Sequence, residues 1–245
     1  MNSDTILYTS QFLTLKDKIS IAQTCKEMYS YSNYMYKDEV VKVNSNNIEW
    51  VKKYKPKLII NDLQYIHLEN IHTLVLKNNE FTSVPDSIGE LKQLQKLNLS
   101  DNELTNLPNF IKELKQLQTL KLNTNYFRSL PNSISKLIQL KNLTLWNNRI
   151  TSLPNSIGEL KQLQNLYLGN NRLTSLPNSI GELIQLLELH LSGNQLTSLP
   201  DSIGKLKQLQ SLFLGNNQLT SLPDSIGKLK QLQYFKTITK IEFKL

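Results

Sequence analysis

The 245-residue chain carries 28 lysines and arginines against 20 acidic residues, a formal charge of +8, with 39% apolar residues. That composition permits a buried core and attraction to acidic partners, and its single cysteine, Cys25, excludes a disulfide scaffold and suits a reducing compartment. No run approaches the roughly 18 apolar residues of a membrane-spanning helix, and the start, MNSDTILYTSQFLTLKDK, lacks the order of a secretory signal, so a soluble, cytoplasmic, non-membrane protein is expected.

Residues 1–40 read as a small helical module. Thr14 and Asp17 have capping-box-like spacing, and Ile21, Ala22, Cys25, Met28 and Tyr29 form a helical stripe. Ile6, Leu7, Phe12, Leu13 and Leu15 make a second apolar group ahead of it. On these residues alone the module could simply cap whatever follows. Phe12, Leu13, Leu15, Asp17 and Ile19, then Ala22 with Cys25-Lys26, also make the segment resemble an F-box, although the leucine–proline opening is missing and Met28 stands where tryptophan is common. The resemblance implies docking onto a Skp1-like adaptor, with Leu7, Phe12, Leu13, Leu15 and Ile21 in the adaptor-facing or core set.

Residues 41–70 read as a linker with irregular coils, one at Val41-x-Val43 and one at Leu58-x-Ile60, with Pro56 in the turn between them. From 71 to 232 the chain repeats itself. Pro85, Pro108, Pro131, Pro154, Pro177, Pro200 and Pro223 are 23 residues apart, and so are Asn79, Asn102, Asn125, Asn148, Asn171, Asn194 and Asn217. A fixed period in this range marks a solenoid. Within one unit, Leu166 and Leu168 alternate with outward residues, the period of a strand with one buried face. Pro177 cannot join a central strand, and Ile157, Leu160 and Leu163 recur at the spacing of a 3₁₀ or short helical turn. Gly158 argues against a long helix there. An asparagine after each strand can satisfy inward-turned backbone groups, so the asparagine row is expected to be a buried, structural ladder.

These units resemble leucine-rich repeats of the 23-residue type, over about Ile71 to Leu232. The resemblance implies an α/β solenoid, curved, with a parallel sheet on its concave face and 3₁₀ or short helical turns on its convex face. Beyond it, residues 233–245 alternate Ile241, Phe243 and Leu245 with charged residues, a pattern for a strand that caps the last coil or meets a second copy; a capped monomer is expected.

No catalytic, cofactor or metal constellation stands out. Phosphate-binding glycine motifs are missing, His67, His72 and His190 are scattered, and Asp86, Asp201 and Asp224 follow the repeat prolines as turn caps. Lys92, Lys115, Lys161, Lys207 and Lys230 align with Glu90, Glu113, Glu159 and Glu182 beside them, a solvated face and not a nucleic-acid site.

What remains is a surface. The residue between the two core leucines of each strand points outward: Val75, Asn98, Lys121, Thr144, Tyr167, His190 and Phe213. Trp146 lies beside Tyr167, so Trp146, Tyr167, His190 and Phe213, with Lys121, are the candidate protein-binding residues. Lateral packing of aromatics along a sheet is the alternative. The expected function is non-catalytic protein–protein interaction. The F-box resemblance implies substrate recruitment for a cullin-type ubiquitin ligase. A plain scaffold or decoy is the alternative, and a ligase of the bacterial-effector kind is disfavoured by a tail with no cysteine.

Overall fold

The computed structural model describes residues 40–42, 72–84 and 86–236. The helical module expected before residue 40, the segment around Pro56 and the tail with Ile241, Phe243 and Leu245 lie outside these described residues.

Among the described residues, nine short strands form one parallel sheet in chain order: β1 (Val40–Lys42), β2 (Thr73–Val75), β3 (Lys96–Asn98), β4 (Thr119–Lys121), β5 (Asn142–Thr144), β6 (Asn165–Tyr167), β7 (Glu188–His190), β8 (Ser211–Phe213) and β9 (Tyr234–Lys236). From β2 onward every pairing advances by one repeat, with Leu97 opposite Leu120, Leu143 opposite Leu166 and Leu189 opposite Leu212. β1 pairs directly with β2, Val41 opposite Leu74. The coil expected at Leu58-x-Ile60 lies outside the described residues.

Strands β2 to β7 bury their middle residue and turn their flanks outward, as the pleat requires. The leucine rows vanish inside: Leu163, Leu166, Leu168 and Leu173 have no exposed surface, and their counterparts one coil on are equally enclosed. Each such side chain contributes about 1.5–3 kcal/mol of burial. Phe127 fills the slot that Leu104 and Ile150 occupy in the neighbouring coils, and it too is wholly buried.

Opposite the sheet, each coil makes a five-residue 3₁₀ turn, such as Asn155–Glu159. Pro154 starts it at φ −68°, where a missing N–H costs nothing. The turn closes when Leu160 N–H donates to the Ile157 carbonyl at 3.2 Å. Glycine inside these turns answers to packing between coils, not only to helix propensity. A Cβ on Gly181 would stand 2.3 Å from the Ser202 carbonyl oxygen of the next turn. Proline, not aspartate, holds the cap position before Asp201 and Asp224, and no side chain hydrogen-bonds there. The aspartates are exposed first-turn residues, which corrects their expected role as caps.

The asparagine row ties neighbouring coils together. Asn148 Oδ1 accepts from Phe127 N–H at 3.1 Å, while its Nδ2 donates to the Leu122 and Leu145 carbonyls at 2.9 and 3.1 Å. Asn102, Asn125, Asn171, Asn194 and Asn217 repeat the pattern toward the coil before them. One residue ahead of the row, Asn78, Asp101, Thr124, Asn147, Asn170, Gly193 and Asn216 all take positive φ, between 51° and 72°. Asparagine, aspartate and glycine tolerate that region; β-branched Thr124 does not.

Toward the end the interior opens. Leu222, Ile226 and Leu232 are partly exposed, and Phe235 of β9, in the leucine slot, keeps 37% of its surface. The 23-residue register thus runs through Lys236.

Candidate functional site on the sheet face

The outward residues of β6, β7 and β8 bring the aromatics into contact. Tyr167, His190 and Phe213 are partners in the strand register, so their side chains stand side by side. The His190 ring meets Tyr167 edge-on with centroids 4.5 Å apart and tilts against Phe213 at 4.2 Å. Trp146 joins at 6.2 Å from His190. Its indole reaches that far because the next coil has Gly169 beside it: a Cβ there would lie 3.3 Å from Trp146 Cε2.

Glu188 anchors the group from below. Its Oε2 accepts the Tyr167 hydroxyl proton at 2.5 Å and lies 3.5 Å from His190 Nε2. That nitrogen is shielded and has no hydrogen-bond partner among the described residues. Burial pulls the imidazole below its ordinary value, opposed by the charge of Glu188 and its proximity as an acceptor. Burial, then the bond to Glu188 and its charge, drive the Tyr167 phenol well above the usual tyrosine range.

The earlier strands present a different surface. Thr73, Lys96, Asn98, Thr119, Lys121, Asn142 and Thr144 line an open trough of about 470 Å³ that ends at Tyr167. A second trough of about 510 Å³ runs from Lys77 and Asp101 past Lys121 and Thr144 to Trp146. Lys121 is exposed on β4, two strands from Tyr167; it shares both troughs with Tyr167 but makes no ring contact with the cluster. Polar side chains also bond across strands, Asn165 Nδ2 donating to Asn142 Oδ1 at 2.5 Å.

The sequence reading omitted Glu188 and the whole column before each core leucine, although the alternation that exposes Tyr167 also exposes Asn165. Trp146, Tyr167, His190 and Phe213 are brought together; the expected lysine–glutamate pairing forms between coils instead of within them. Lys161 reaches Glu182 at 2.8 Å and Lys92 reaches Glu113 at 3.4 Å. The bond from Lys161, its charge and that of Lys205 lower the Glu182 carboxyl below its usual range. Among the described residues no cluster of three potential metal ligands occurs, and no helix is long and apolar enough to cross a membrane.

A family profile described as leucine rich repeat matches residues 69–127 and 184–236, and one described as leucine-rich repeat region matches 128–196. The chain is a leucine-rich-repeat protein. A leucine-rich-repeat protein of Leptospira interrogans is 35% identical over 77% of this chain and 54% of its own, with a TM-score of 0.59. The ectodomain of the Arabidopsis thaliana membrane receptor kinase GASSHO1/SCHENGEN3, solved in complex with Casparian strip integrity factor 2, is 36% identical over 72% of this chain and 22% of its own, at 0.63. An internalin of Listeria monocytogenes shares the fold at 23% identity and 0.62, over 74% of this chain and 51% of its own. The chain thus spans about half or less of the length of these leucine-rich-repeat structures. A search of curated proteins returns no match.

Proposed function

We propose that this leucine-rich-repeat protein is an interaction scaffold whose sheet face captures an extended segment of a partner protein. The carrying observation is the contiguous ring group Trp146, Tyr167, His190 and Phe213 on adjacent strands, beside an open trough. Aromatic rings supply binding energy at little entropic cost, and Lys96 and Lys121 set a positive charge at the other end. The related receptor ectodomain held with its factor supports a partner-binding role for such repeats.

Selection of random 12-residue peptides on the full chain tests the reading. Peptides so obtained should lose about tenfold or more in affinity for the Tyr167→Ala/Phe213→Ala variant. They should bind a Lys161→Ala/Lys230→Ala control, altered on the opposite side, as well as the parent. Equal binding to both variants rejects the sheet face.

The narrower role, recruiting substrates to a cullin-type ubiquitin ligase in the cytoplasm, is supported by the F-box resemblance of Phe12, Leu13, Leu15, Asp17 and Cys25-Lys26. A plain scaffold fits the repeats equally well. Pull-down of a Skp1-like adaptor by the full chain, lost on removing residues 1–39, supports recruitment; no adaptor in the full-length sample leaves the scaffold.

A further inference from the structure

Only three of the 28 basic residues are arginines, Arg128, Arg149 and Arg172, and they fall on three successive coils of one edge. That edge is a rigid rail. Beyond the sheet, backbone N–H groups donate to the coil before: Tyr126 to Leu104, Arg149 to Phe127 and Arg172 to Ile150, at 2.8 to 2.9 Å, and Thr151 to the Arg128 carbonyl at 3.1 Å. The step between coils is therefore about the 4.8 Å of paired strands.

All three arginines and Tyr126 are exposed. The ion pairs among the described residues use Lys77, Lys92, Lys161 and His190, and none of the arginines. Arg149 instead lies over the Tyr126 ring, its Cζ 4.3 Å from the centroid, which holds the guanidinium in place while its N–H edges remain available. The nearest acids along the rail, Glu80 and Glu103, precede Tyr126, so its sign changes there from negative to positive.

We propose that Arg128, Arg149 and Arg172, with Tyr126, form a second contact surface that reads the carboxylates of an extended acidic peptide segment. Planar guanidinium forks match carboxylates bidentately. Alternate side chains of an extended peptide stand about 6.8 Å apart on one side, a spacing that long arginines one coil apart can meet. A single-stranded nucleic acid would need free stacking faces, and the ring here is covered by Arg149. A lipid surface would need apolar neighbours to insert, and the exposed residues within two positions of Arg149 and Arg172 are the polar Asn147, Thr151, Asn170 and Thr174. Thr124 and Asn147 continue this edge into the second trough, yet the assignment stands apart from the aromatic group.

Fluorescence anisotropy of the full chain with a labelled 12-residue peptide alternating glutamate and serine, at low salt, is the test. The peptide should bind, and Arg149→Gln/Arg172→Gln should weaken it about fivefold or more. Lys207→Gln/Lys230→Gln, which removes the same charge from the opposite side, should change it less than about twofold. Arg149→Lys/Arg172→Lys should weaken it about threefold, because charge is kept and the fork is lost. Tyr167→Ala/Phe213→Ala should leave it unchanged, separating this surface from the sheet face. Four results overturn the proposal: no binding, equal weakening by both glutamine pairs, full affinity in the lysine pair, or tighter binding of a single-stranded RNA of equal charge or of phosphatidylserine vesicles.

Discussion

Strands β2 to β5 and strands β6 to β8 share one backbone and one register, yet they differ outside and in. The first group is polar and cationic on its open face and irregular within: Phe127 occupies a leucine slot, Phe110 sits among the turn residues, and Thr124 takes a conformation its neighbours fill with asparagine. The second group is aromatic on its face and regular within. The comparison teaches that coil stacking is indifferent to what the outward columns carry. Surface chemistry can change from coil to coil while the asparagine bonds stay the same.

Phe127→Ala is the strongest way to break this picture. It should cost about 3–5 kcal/mol in chemical denaturation, because the polar half would lose its largest buried ring. A loss near 1 kcal/mol would mean the neighbouring coils close over the space. Asn148→Ala and Asn171→Ala come next. Each should cost about 1–3 kcal/mol, the penalty of leaving buried backbone groups unpaired. Similar values on the two sides of the polar–aromatic boundary would sharpen the view of a uniform interior; a twofold disparity would break it.

A smaller effect is confined to the aromatic half. Because burial lowers the His190 imidazole, the unfolded chain takes up a proton that the folded chain refuses. This contribution to stability is complete above about pH 6.5 and is lost as pH falls below it. Between pH 7 and 5.5 the parent's thermal midpoint should drop further than that of His190→Gln; parallel profiles would show that the histidine does not titrate differently on folding. Smallest is a gain in the polar half. Thr124→Asn should stabilise by about 0.5–1 kcal/mol, since asparagine accepts the positive φ that threonine strains to adopt.

How much could be read without coordinates follows the same division. The leucine, proline and asparagine rows are spacing, and spacing determines which side chains face inward once coils are stacked. The positive-φ column escaped the reading because its residues vary, although Asn-Asn, Asp-Asn and Gly-Asn pairs before each buried amide carry its signature. Glu188 escaped because it looks like any surface acid until Tyr167 and His190 are placed around it. The arginine rail depends on backbone bonds that no side-chain pattern encodes. Phe235, in the stretch 233–245 that the sequence placed beyond the repeats, occupies a repeat position, since aromatic and leucine fill the same slot.

Where the amides of the asparagine row bond between coils, they all reach the coil before. Asn217 serves Leu196 and Leu191 of the coil before it, never its own successor. Each of these turns of the chain is therefore latched by the one that follows. The row therefore has a polarity: disrupting one coil releases the latch on the coil before it, not on the one after.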